Sequence, residues 1–196
     1  MTMAEITRKM AARFKGGREG APPAPVSAMV LFLDIDGVIC TTLSTCLSAL
    51  LRLPLERQIF DPLALFWLRR LVRRTGAEIV LCSSWRDALE ADDPLCRAFI
   101  ANLYEALARN GTPIADAAPR LPSGNKGEEI LAWLAERPGV RYVILDDHDR
   151  FVPEVRGRWV PVPENRGLRR KQARAALKLF FEEHGTAEQA ADPRER

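Results

Sequence analysis

Met29-Val30-Leu31-Phe32-Leu33-Asp34-Ile35-Asp36-Gly37-Val38 is the stretch on which the reading of this chain turns. Five apolar residues in succession suit a strand buried on both faces, as in a parallel sheet covered by helices. The run then breaks into two aspartates and a glycine. Asp36-Gly37 alone is a common turn dipeptide. Asp34 is harder to dismiss, because it follows the apolar run directly, where an unpaired carboxylate is costly to bury. Residues two apart on a strand point the same way, and at a strand's end Asp36 can swing toward the same crevice. Two carboxylates then share one site, which calls for a divalent cation between them, a proton on one of them, or both.

Outward from this stretch, three further apolar runs occur: AEIVLCS (77–83), VRYVILDD (140–147) and RWVPV (158–162). Longer helical patterns separate them, and the alternation predicts an α/β sandwich of three layers around a mainly parallel sheet. Helix boundaries are well marked. Asp61-Pro62 starts a helix ending at Gly76, and Asp93-Pro94 starts one that stops near Gly111; in both, an acidic cap precedes a proline whose missing N–H costs nothing at the first helical position. A third helix follows Ser123-Gly124-Asn125 and runs toward Gly139, and a fourth spans 168–184. Residues 40–60 and 112–122 fit neither period, and a small cap or substrate-facing loop is expected there.

Composition narrows the class. The 196 residues are 47% hydrophobic and 28% charged, ordinary values for one globular domain. No apolar run approaches the ~20 residues of a membrane-spanning helix. The first residues lack a continuous apolar signal segment, so a cytoplasmic location and no membrane association are expected. Cys40, Cys46, Cys82 and Cys96 form no CxxC pair, which argues against structural zinc and a disulfide framework. A net charge of +3 is too mild to announce nucleic acid by itself. Residues 1–27 combine basic residues, glycines and APPAP, and are expected to be a flexible basic tail; 28–186 form the domain, and 187–196 a second flexible tail.

Three more polar clusters sit at strand ends or a helix start, where open α/β sheets bind ligands. Ser83-Ser84-Trp85-Arg86 follows an apolar run; a hydroxyl and backbone N–H groups there can bind a phosphoryl oxygen, and Arg86 could add bidentate phosphate contacts. Lys126 lies in the first turn of a helix, against the helix dipole, which suggests an anionic partner. Asp146-Asp147 ends another apolar run, with Asp149 nearby, and hard oxygen ligands of this kind suit magnesium.

The order Asp-x-Asp, Ser, Lys, Asp-Asp resembles the motif series of the haloacid dehalogenase (HAD) superfamily of phosphohydrolases, over about residues 29–165. FDPLALFWLRRLVRRTGAEIVLCSSWR, GEEILAWLAERPGVRYVILDDHDRF and NRGL are similar to the compact branch that includes phosphatase domains of RNA-repair proteins. The resemblance implies a Rossmann-like, HAD-like fold without a large cap domain. It implies that Asp34 is a nucleophile forming an aspartyl-phosphate, and that Asp36 is general acid and then general base. It further implies Mg2+ held by Asp34, the Asp36 carbonyl and Asp146, with Asp147 as a second ligand or an orienter of metal-bound water, and with Lys126 and Ser83 on the phosphoryl group. Ser84 remains the alternative hydroxyl, and Arg86 lies outside the shared motifs.

A response-regulator receiver carries similar residue types in a different order, with its acidic pair early. The chain has neither a strand-linked GxGxxG or GxxxxGK[ST] nor a GxSxG elbow. The expected substrate is a phosphomonoester, either a nucleic-acid end or nucleotide or a small metabolite. Arg69, Arg70, Arg73, Arg74, Arg169, Arg170 and Lys171 could supply basic surface for nucleic acid. A binding module of the same fold without turnover is the reading from a different class. The sequence leaves the oligomeric state open.

Overall fold

The computed structural model describes residues 28–182. Five strands form one sheet: β1 (Met29–Leu33), β2 (Glu78–Leu81), β3 (Ile114–Ala117), β4 (Arg141–Asp146) and β5 (Trp159–Pro161). Their order is β3-β2-β1-β4-β5, and every pairing is parallel. The chain therefore leaves β1 toward one edge through β2 and β3, then returns to its other side with β4. A doubly wound sheet opens its ligand crevice at such a reversal, beyond the carboxyl ends of the strands. Here that point lies between β1 and β4.

The helices are α1 (Thr42–Leu50), α2 (Pro62–Thr75), the single turn α3 (Asp87–Glu90), α4 (Pro94–Arg109), α5 (Lys126–Ala135), the single turn α6 (Pro153–Arg156) and α7 (Arg170–Phe181). Strand alternation divides the core between the two faces of the sheet. Leu31, Leu33, Ile79, Leu81, Val143 and Leu145 pack in one cluster with residues of α2, α4 and α7. Val30, Phe32, Val80 and Ile144 pack in the other with Ile130 and Trp133 of α5 and Val155 of α6. Phe32 meets the Trp133 ring edge-on, with centroids 5.3 Å apart, a favoured geometry for aromatic quadrupoles.

The expected caps are in place. Asp61 accepts from the N–H groups of Leu63 and Ala64, and Gly76 ends α2 with φ +67°. Asp93 caps α4, and Asn125 caps α5 through Gly127 and Glu128. α5 ends at Ala135, short of Gly139, because Pro138 cannot continue a helix. Two elements run where no regular period was expected: α1 within 40–60 and β3 within 112–122. Neither is a lid domain, and among the described residues the sheet carries no large cap. The expected tails at 1–27 and 187–196 lie outside the described residues. Among the described residues no helix is long and apolar enough to cross a membrane.

Candidate functional site

Asp34 follows β1 directly, and its backbone N–H donates to the Leu145 carbonyl of β4 at 3.0 Å, so the sheet pairing extends to the carboxylate. Its side chain is buried. Asp146, the last residue of β4, is wholly buried beside it. Between the two carboxylates stands Lys126, the first residue of α5: its Nζ lies 3.3 Å from Asp34 Oδ1 and donates to Asp146 Oδ2. Burial pulls the lysine toward neutrality, but the Cys82 sulfur and the carboxylates of Asp34 and Asp146 outweigh it and hold the ammonium charged. One ammonium does not neutralise two buried carboxylates. Burial first, and then the charge of Asp34, push the Asp146 carboxyl up to about 6.

Asp36 lies just past the strand, at the rim of the crevice. Its Oδ2 accepts from the indole N–H of Trp85 at 2.8 Å. Partial desolvation raises its pKa, the Trp85 hydrogen bond opposes the rise, and the charges of Asp34 and Asp147 add to it. A carboxyl tuned upward in this way keeps its proton more readily, as a group that is to donate one must. Trp85 is itself buried, tilted against Phe99 with ring centroids 4.0 Å apart and against Phe60 at 5.9 Å. Its ring is packed as core while its N–H holds Asp36. Nothing in the spacing of the sequence couples positions 36 and 85, so this contact was not legible there.

Gly37 adopts φ +66°, and a Cβ built on it would come within 2.2 Å of Asp147 Oδ2. The glycine thus lets the Asp147 carboxylate lie against the backbone of the turn after β1. The Asp147 side chain is almost fully covered, with Oδ1 2.6 Å from His148 Nδ1. The His148 N–H in turn donates to Asp146 Oδ1 at 2.9 Å. Oxygen atoms from Asp146 and Asp147 and a nitrogen of His148 lie within 4.8 Å of one another, close enough to hold one ion. The hard oxygens of Asp34, Asp146 and Asp147, with one ammonium set against several carboxylates, fit a small divalent cation.

Ser83 is buried at the end of β2, where its Oγ accepts from the Trp85 N–H at 3.4 Å and opens a 3-10 turn over Ser84–Arg86. The neighbouring Cys82 N–H donates to the Leu33 carbonyl, which places Ser83 beside the Asp34 strand end. Ser84 is exposed on the turn.

Arg86 overturns its expectation. It is only 3% exposed, and all five of its N–H donors have protein acceptors. Nε donates to Ser83 O, Nη1 to Ala118 O and Pro119 O, and Nη2 to Cys82 O and Glu129 Oε2. No donor remains for a substrate phosphate. Glu129, on α5 and fully buried, is the partner that sequence reasoning did not supply; Arg120 Nη1 and the Leu121 N–H bind its other oxygen. Arg86 fastens the turn after β2 to the end of β3 and to the helix that carries Lys126.

Asp34, Asp36, Lys126, Asp146 and Asp147 thus converge on the carboxyl edge at the reversal of strand order, with Ser83 beside them. Neither a curated protein nor a solved structure matches the chain. The model of one family, the HAD domain in Swiss Army Knife RNA repair proteins, matches residues 30–173, and the chain belongs to that family.

Proposed function

We propose that the chain is a magnesium-dependent phosphomonoester hydrolase working through an aspartyl-phosphate, with nucleic-acid ends or nucleotides as its substrate class. The observation that carries the reading is the Lys126 ammonium between the carboxylates of Asp34 and Asp146, beside an Asp36 whose pKa is raised.

In the first step an Asp34 carboxylate oxygen attacks phosphorus while the ester P–O bond breaks and Asp36 gives its proton to the leaving oxygen. In the second, Asp36 takes a proton from water as the water oxygen attacks phosphorus. The Asp34–phosphate bond breaks, and Asp34 is regenerated with release of inorganic phosphate. Lys126 and the Ser83 hydroxyl, with Ser84 as its alternative, bind the phosphoryl oxygens. Asp34, Asp146, Asp147 and the Asp36 carbonyl would hold the magnesium, which supplies positive charge where nucleophile and phosphate approach. Trp85 keeps the Asp36 carboxyl aimed at the leaving group.

The lack of a large cap among the described residues favours bulky substrates, since α1 and the turn at Leu55–Arg57 are the insertions that precede α2. The family's description as a domain of RNA repair proteins supports nucleic-acid ends over small metabolites. The test is phosphate release from an aryl phosphate, with and without magnesium, by the native protein and Asp34→Asn. Release that requires magnesium and disappears in the variant is expected. No release from any phosphomonoester, with nucleic acid still bound, would leave a binding module in its place. A panel of nucleotides, sugar phosphates and 3′- or 5′-phosphorylated oligonucleotides then fixes the substrate class.

A further inference from the structure

α2 and α7 pack side by side on one face of the sheet, and between them runs a groove of about 340 Å³. Arg70 and Arg74 line it from α2, Arg170 and Arg174 from α7, with Trp67 and Leu71 also in its wall. Each helix contributes its arginines four residues apart, and like charges at that spacing are mutually destabilising. Among the described residues no acidic side chain relieves them. None lines the groove, and neither the Pro62–Thr75 nor the Arg170–Phe181 helix contains an aspartate or glutamate. Among the described residues none of the four guanidinium groups forms an ion pair, although the chain carries 26 acidic residues against 29 basic ones and could have supplied partners. All four arginines are exposed, and Arg70 also lies over the Phe66 and Trp67 rings, at 5.7 and 5.8 Å.

We propose that this groove binds the sugar–phosphate backbone of single-stranded nucleic acid, as an anchor separate from the carboxylate cluster. Paired guanidinium forks match phosphate oxygens. Four residues of helix rise about 6 Å, a step comparable with the spacing of neighbouring phosphates along an extended strand. Trp67, half-buried in the wall beside Arg70, supplies the partly exposed aromatic surface that a base can contact. An acidic peptide or a lipid headgroup would use the charge but not the aromatic wall. None of the residues lining the groove belongs to the carboxylate cluster, so the anchor stands whether or not the cluster hydrolyses phosphate esters.

The probe is a fluorescein-labelled oligouridylate of about 12 nucleotides, within the site sizes of single-strand binders. Its binding is followed by anisotropy across a salt series. Four phosphate contacts predict a slope of log K against log salt near about −2.8, and Arg70→Gln with Arg174→Gln should bring it to about −1.4. The same loss weakens binding about tenfold at 0.15 M salt. Arg97→Gln with Arg109→Gln removes equal charge from α4 and should leave affinity and slope near those of the native chain. Arg74→Gln with Arg170→Gln repeats the test on the other diagonal, and melting temperatures establish that each variant is folded. Equal losses in the groove and α4 pairs would overturn the proposal. So would competition by polyglutamate or anionic vesicles as effective as by unlabelled strand. Aryl phosphate hydrolysis should be unchanged in the groove variants. If the native chain shows no hydrolysis while the groove result holds, the hydrolytic reading falls and the anchor stands.

Discussion

Arg86 shows how one side chain can carry more structural than chemical weight. A charged residue two positions after Ser83-Ser84 invites a phosphate-binding reading, and residue type alone gave no reason to refuse it. What decides the matter is the set of acceptors, and these come from Ala118, Pro119 and Glu129, dozens of residues away in sequence. Removing one member of such a buried pair leaves the other charge without compensation. Arg86→Ala should therefore destabilise the fold by about 3–5 kcal/mol, read from denaturant unfolding. Arg86→Met combined with Glu129→Leu should recover only the part of that loss due to the uncompensated charge, because the carbonyls of Cys82, Ser83, Ala118 and Pro119 and the Leu121 N–H lose their partners as well; equal losses in single and double variants would show that the charge pair is not the cause. The acidic residues were more legible, for a related reason. Asp34 and Asp146 interrupt apolar runs at positions that burial makes expensive, so each one announces a functional or paired environment from sequence alone.

At the scale of elements, the strong periods were readable and the inverted ones were not. α1 buries Ser44 and Ser48 and turns Leu43, Leu47 and Leu50 outward, the reverse of the pattern by which an amphipathic helix is recognised. Its serines are satisfied locally: Ser44 Oγ donates to Thr41 O, and Ser48 Oγ accepts from the Ile59 N–H. β3, with the sequence Ile-Ala-Asp-Ala, is a half-buried edge strand lacking the continuous hydrophobic run of the inner strands. The cap of α2 was legible as Asp61-Pro62, but its second role was not. Asp61 Oδ2 accepts from the Thr41 hydroxyl at 3.1 Å and from Arg169 at 2.8 Å, tying the start of α2 to the segments before α1 and α7. Burial pushes this carboxyl up, yet the bonds from Arg169, the Ala64 N–H and Thr41 prevail, and its pKa is lowered. The folded state thus holds the carboxylate more firmly ionised than the unfolded chain does. The resulting stability is full above the unfolded aspartate value of ~3.9 and is lost as pH falls through the depressed folded value. Asp61→Asn keeps a cap oxygen without the charge. Its deficit against the native chain in urea unfolding should be largest near neutral pH and shrink toward zero in acid; a deficit independent of pH would assign the loss to the cap alone.

For the molecule as a whole, the doubly wound sheet brings into one crevice residues that are more than a hundred positions apart. In doing so it brings Asp34 and Asp146 together with one ammonium for two carboxylates. A cation that binds only the folded form stabilises it by mass action. If the proposed magnesium is that cation, a concentration about a hundred times its Kd should add about 2.7 kcal/mol, a rise of about 5–10 °C in Tm for a chain of this size. Asp146→Asn should abolish most of that rise, measured by calorimetry without any substrate present. An undiminished rise in the variant would place the ion elsewhere.

The hydrogen bond from the Leu168 N–H to the Val38 carbonyl, at 2.9 Å, has a consequence for the order in which the chain is made. The turn bearing Asp36 and Gly37 emerges from the ribosome early, yet the segment that fastens it is among the last described parts to follow. Gly167 packs so closely there that a Cβ would sit 2.4 Å from Thr41 Cγ2, and Arg169 then reaches Asp61. Contacts of this sequence separation form only after long loops have closed. A nascent chain halted before residue 165 would carry every side chain of the proposed site but not this clasp. During synthesis, competence of the site is coupled to near-completion of the domain.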